Sequence, residues 1–277
     1  MRVHSMMILL TLLGASAVLH SQTITDLWNQ CDTSSANTIT ACTALIQSGQ
    51  VRGAQLALAY SNRGFMYAQQ KQYDQALQNY NQALQIDPGL LLAYENRGSL
   101  YLNNGQYDQA IQDLSQAIRL DTNGSDLAAV YTLLAFAYEK NGEYSQAVAS
   151  YSQALALQPN DASLLNDRCY DSAIVGQLQP ALADCNQSLA VRPNDVNTLD
   201  SRCFVYLKMN NPDAAIADCN AALAINPKMA SSLYSRGLAE RMKGDTADSN
   251  ADIAAAKAIQ SDIDSQYAKW GVPVPTP

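Results

Sequence analysis

Residues 57–90 read ALAYSNRGFMYAQQKQYDQALQNYNQALQIDPGL, and this stretch decides the architecture. Its apolar and small residues follow helical spacing in two segments. Leu58 to Gln70 forms one helix, with Tyr60, Gly64 and Tyr67 along one stripe. Lys71-Gln72 makes a short turn, and Asp74 to Ile86 forms a second helix with Ala76, Tyr80 and Ala83 inward. Asp87-Pro88-Gly89 ends it, because proline cannot continue a helix and disfavours α geometry in the residue before it. Gly64 and Ala83 are small because the two helices approach closely where they cross.

The same pattern recurs outward from this stretch. Pro159, Pro193 and Pro227 stand 34 residues apart. Ala147, Ala181 and Ala215 keep that period, as do Ala154, Ser188 and Ala222. A period in this range means stacked supersecondary units in a quasi-one-dimensional fold. Six consecutive units are expected, at 57–90, 91–124, 128–161, 162–195, 196–229 and 230–263, with an insertion near Gly124-Ser125-Asp126.

The chain resembles the tetratricopeptide repeat (TPR) family, whose unit carries an aromatic, a Gly and a Tyr in its first helix, two Ala in its second, and a closing Pro. Here these are Tyr60, Gly64, Tyr67, Ala76, Ala83 and Pro88, then Tyr94, Gly98, Tyr101, Ala110 and Ala117 with Thr122 in the proline place. The third copy has Tyr131, Ala135, Tyr138, Ala147, Ala154 and Pro159. The later copies depart, with Leu165, Leu199 and Leu233 for the aromatic and Cys169 and Cys203 for the glycine. The resemblance implies an all-α fold, an α-solenoid in which antiparallel helix pairs stack into a right-handed superhelix.

The flanks are irregular, as solenoid ends are. Residues 24–56 are expected as an N-terminal capping hairpin, with helices at Asp26–Cys31 and Ile39–Gln47. Asp262 to Trp270 reads as a closing helix with Ile263, Tyr267 and Trp270 on one face, stopped by Gly271; residues 264–277 hold most of this cap and a Pro-rich tail. Residues 1–20 read as an export signal: Arg2, an apolar run from Met6 to Leu13, and cleavage after Ala17 within Ala15-Ser16-Ala17. That run is too short to span a bilayer. The expected location is therefore periplasmic or secreted, with no integral membrane span in the mature chain.

The net charge of −8 disfavours nucleic acid as a partner. Six cysteines behind an export signal point to disulfides. Cys169 and Cys185 are 16 apart, as are Cys203 and Cys219, and the two sets are 34 apart. Each pair would tie one hairpin, and Cys31 with Cys42 would close the N-terminal one; the alternative is six buried thiols acting as small hydrophobes. No metal or cofactor is expected. A second pairing at the same spacing joins Arg97 with Asp113, Arg168 with Asp184, Arg202 with Asp218 and Arg236 with Asp252. Unit three lacks both charges, having Leu134 and Ser150, which suggests ion pairs within units. The alternative is an arginine row that binds an anion.

In TPR arrays the first helices line a concave groove, so the resemblance places ligand contacts there. Phe65, Phe136 and Phe204, the only phenylalanines, follow the close-approach position, and Tyr170 holds that place in unit four. Glu95, Asn96, Glu139, Asp200 and Lys208 are expected beside this aromatic row. Rings flanked by polar groups suit an extended peptide or a helix; the alternative is packing between neighbouring first helices. Catalysis has little support: the only histidines are His4 and His20, and there is no Gly-rich phosphate loop. The expected function is non-enzymatic binding of a protein or peptide in the groove. Self-assembly into a homo-oligomer and binding of an envelope polysaccharide stay open as alternatives.

Overall fold

A computed structural model describes residues 23–32, 37–121, 124 and 127–273. The export signal, Thr122, Ser125 and Asp126 of the insertion, and the tail beyond Pro273 lie outside the described residues. Among the described residues there are fifteen α-helices and no strand.

An N-terminal hairpin pairs α1 (Ile24–Cys31) with α2 (Thr38–Ser48). Thr23 starts α1 with a capping box: its side chain accepts from the Asp26 amide while the Asp26 carboxylate accepts from the Thr23 amide. Six hairpins follow: α3 (Gly53–Gln69) with α4 (Tyr73–Ile86), α5 (Leu91–Asn103) with α6 (Tyr107–Leu120), and α7 (Leu127–Lys140) with α8 (Tyr144–Leu157). Then come α9 (Ala162–Ile174) with α10 (Leu178–Val191), α11 (Val196–Lys208) with α12 (Pro212–Ile225), and α13 (Ala230–Lys243) with α14 (Thr246–Ile259). A short α15 (Ile263–Lys269) closes the described chain. α3 begins at Gly53, ahead of the expected Leu58, because nothing between them breaks a helix.

Each hairpin turns at the same repeat position, and the backbone there is left-handed in all six. Gly105, Gly142, Gly176 and Gly244 hold it at φ 73, 80, 84 and 88°, while Lys71 and Asn210 hold it at 59 and 58°. Only glycine adopts that region without a Cβ penalty, so Lys71 and Asn210 carry some strain.

Inside units one, two and six a glycine on the first helix lies beneath a large residue on the second. A Cβ added at Gly64 would come within 2.9 Å of the Tyr80 ring, and one at Gly98 within 2.9 Å of the Leu114 side chain. In units four and five the small–large pair is replaced by a disulfide, Cys169–Cys185 and Cys203–Cys219. A third disulfide, Cys31–Cys42, joins α1 to α2. Two chemistries thus fill one site: a large side chain packed over a glycine, or a covalent bond.

The arginines hold neighbouring helices as well. Arg97 Nε and Nη2 donate to Asp113 at 2.7 and 2.8 Å, a bidentate fork, while Nη1 donates to Asn81 of the preceding unit. Arg168–Asp184, Arg202–Asp218 and Arg236–Asp252 repeat the fork, with Nη1 on Ser152, Asn186 and Asn220. In unit one Arg63 Nε instead donates to Asn79 Oδ1 at 2.8 Å. These guanidiniums are engaged within and between units rather than offered as a row of free cations.

Candidate functional site

The first helices pack side by side, α3 on α5 on α7 and α9 on α11 on α13, and form one face of the stack. The residue after each close-approach position lines this face: Phe65, Ser99, Phe136, Tyr170, Phe204 and Leu238. The face divides into two unlike halves.

In the N-terminal half it is open. Phe65 and Asn96 line a cleft of about 280 Å³ with Tyr73, Tyr80, Ser99 and Asn103. Glu95 stands next to Asn96 on α5 and is half-buried, but it does not line that cleft. Phe136 is 40% exposed, and the Lys140 ammonium sits 4.5 Å from its ring centroid. Lys140 also pairs with Glu139 at 2.8 Å.

At mid-face the lining turns acidic. Glu139, Asp167 and Asp200 border a depression of about 200 Å³ with Asn166, Tyr170 and Asn197. Tyr151 donates its hydroxyl to Glu139 at 3.3 Å. Asp200 accepts from Ser231 and Ser232 at 2.7 and 2.5 Å, while burial raises its pKa. Burial pushes Asp167 up to about 6, against a lowering hydrogen bond from Asn166. Asp171, one helical turn on, is fully buried, and among the described residues neither of its carboxylate oxygens has a hydrogen-bond partner. Burial, with the charges of Glu139 and Asp167, pushes it up to about 8, so it holds its proton at neutral pH.

In the C-terminal half the chain covers its own face. Phe204 lies on the expected helix but is only 2% exposed. The Tyr267 and Trp270 rings stand on it at centroid distances of 5.5 and 5.7 Å, and Trp270 also meets Tyr170 at 5.6 Å. The expectation of Phe204 as a ring open to a guest is corrected here: α15 and the Trp270 that follows it fold back across it instead of only ending the stack, while Tyr170 stays half-buried, with Trp270 against it and the mid-face depression beside it. Lys208 Nζ donates to the Trp270 carbonyl at 2.7 Å and to the Ile174 carbonyl at 3.1 Å. It is thereby engaged by the same segment.

Sequence reasoning missed two participants. Asp171 occupies a repeat position that is apolar in every other unit, namely Met66, Leu100, Ala137, Val205 and Ala239, and that lone departure is a legible signal. The docking of Tyr267 and Trp270 on the concave face had a weaker one, a shared apolar stripe with no indication of where it packs.

Profiles of the tetratricopeptide repeat match residues 57–90, 89–160 and 205–265, together more than half of the chain. No curated protein sequence matches it. Among solved structures, it is similar to YrrB, described as a TPR protein with an unusual peptide-binding site. The two share 20% identity over 74% of this chain and 99% of that one, at a TM-score of 0.64. PilW, a type IV pilus biogenesis factor, is 19% identical over 76% of this chain and 99% of its own, at a TM-score of 0.59. A MamA fragment from Desulfovibrio magneticus RS-1 is 18% identical over 63% and 97%, at 0.54. At such identities the likeness is one of fold. Profiles, period and stacked hairpins agree: the chain belongs to the tetratricopeptide repeat family.

Proposed function

We propose that this protein is an exported, non-enzymatic scaffold that binds a polypeptide segment along its concave face. One observation carries the reading: the face already holds a polypeptide, the chain's own C-terminal segment, through two aromatic anchors and a backbone carbonyl on Lys208. The N-terminal half presents the same repeat position uncovered, with Phe65 in a cleft and Phe136 exposed. Rigid rings beside polar groups are the chemistry of peptide-binding surfaces. The similar YrrB is described as having a peptide-binding site, which agrees with this use of the fold. Three disulfides and the A-x-A signal support export into an oxidising compartment.

Selection of a phage-displayed random peptide library on the oxidised full chain tests the proposal. Selected peptides should protect amides of α3, α5 and α7 from exchange. They should bind Phe136→Ala at least about tenfold more weakly, as expected for loss of an aromatic anchor. A library that yields no binder, or binders indifferent to Phe65→Ala and Phe136→Ala, refutes it. Self-assembly is the second reading, because the contacts that seat the C-terminal segment within one copy could seat it on another.

A further inference from the structure

The segment after α14 does more than close the stack. A terminal cap needs only to cover the last hairpin. This one runs across four units. Tyr267 packs on Tyr234 at 4.6 Å, and its hydroxyl is within hydrogen-bond distance of Ser235 Oγ at 2.8 Å, both on α13. Phe204 and Lys208 on α11 receive Trp270, Tyr170 on α9 meets its edge, and Trp270 Nε1 reaches the Tyr144 hydroxyl on α8 at 3.4 Å. Gly271 then turns with φ 73°, and Val272 enters the core beside a cleft of about 450 Å³ lined by Leu207, Leu238 and Met242.

We propose that the C-terminal half of the concave face is a docking site for an aromatic-anchored helical turn of a partner polypeptide, and that residues 263–273 are its built-in occupant. The chemistry of the partner follows from what the face holds now: two rings three residues apart on one turn, a free carbonyl for Lys208, then an apolar step into the cleft. The anchors are the Tyr267 and Trp270 rings and the Trp270 carbonyl, with Ile263 and Val272 buried beside them, and all of them belong to a segment outside the six hairpins. A tethered occupant acts at an effective concentration on the order of millimolar. A free competitor is therefore weakened by the fraction of time the face stands empty. The inference rests on the peptide-binding reading of the face but concerns its other half.

The probe is a fluorescein-labelled peptide of residues 261–273, followed by anisotropy on the oxidised full chain. The intact chain should bind it at least about tenfold more weakly than the Tyr267→Ala/Trp270→Ala chain, whose occupant lacks both rings. Gly271→Ala should fall between them. It strains the left-handed turn, while an added Cβ there meets nothing within 4 Å among the described residues. It therefore carries the test should the double variant misfold. Adding Lys208→Met to the ring-less chain should weaken the peptide several-fold. Phe136→Ala should leave this peptide unaffected, which separates failure here from failure of the open half. Equal binding by intact and variant chains overturns the proposal, as does absence of binding to well-folded variants. Light scattering that finds the intact chain exchanging C-termini into dimers would assign the site to a second copy and overturn it too.

Discussion

The two halves of the concave face are built on one repeat and differ in what covers and what ties them. In units one to three Phe65 and Phe136 stand uncovered, and hairpins close by packing, as Tyr80 does over Gly64. In units four to six Phe204 is buried under Tyr267 and Trp270, and two of the three hairpins close through disulfides. Identical backbone positions therefore serve different ends. A ring that no other segment covers is available for binding, and the same ring beneath a folded-back segment contributes to stability. The acidic depression and the buried Asp171 mark the boundary between the two.

The largest expected effect comes from truncating the equivalent rings. Phe204→Ala should cost about 3–5 kcal/mol of stability, as for other buried phenylalanines. Phe136→Ala, at an exposed site, should change stability by less than about 0.5 kcal/mol while weakening peptide capture. Urea unfolding of both variants checks the contrast, and equal losses would erase the distinction between halves.

Removing the covalent tie of one hairpin comes next. Cys203→Ala with Cys219→Ala opens a loop with a sequence separation of 16 residues. A loss of about 3 kcal/mol is expected. Hydrogen exchange should place it in α11 and α12, with α3 to α6 unchanged. Uniform loosening of the whole stack would mean that the halves are not energetically separable.

The boundary itself should respond to pH. Asp171 and Asp167 have folded-state pKa values of about 8 and about 6, raised from an ordinary 3.8. Between those limits the folded chain keeps protons that the unfolded chain has released. Stability is therefore full below about pH 4 and falls as pH rises, until about 6 for Asp167 and about 8 for Asp171. Each group contributes a slope of at most about 1.4 kcal/mol per pH unit. Asp171→Leu, which restores the residue found at Leu100, should flatten the profile and stabilise the chain most at pH about 8. Parallel profiles for the two chains would rule out Asp171 as the source.

Most of the fold was legible because its signals are periodic. Pro159, Pro193 and Pro227 mark hairpin ends at a fixed interval, and Gly64 and Gly98 mark helix crossings, so each unit repeats the statement of the last. The 16-residue pairings were legible for the same reason: both partners recur together, and unit three loses both. What escaped is aperiodic. Tyr267 and Trp270 occur once, and an apolar stripe does not say whether it covers the end of a stack or its inner face. Asp171 escaped because a carboxylate on a helix reads as solvated unless compared with Ala137 and Val205 one period away. The aromatic row was visible, but whether each ring was open depended on a segment more than sixty residues further along.

The most direct test of a face that holds polypeptide uses its own reporter. Trp28 and Trp270 are the only tryptophans, so Trp28→Phe leaves Trp270 as the sole indole emitter. In the free oxidised chain, Trp270, 8% exposed, should emit in the blue and resist acrylamide quenching. Saturation with unlabelled peptide 261–273 carrying Trp270→Phe should shift that emission red and expose it to quencher. Red, freely quenched emission before any peptide is added would contradict the account.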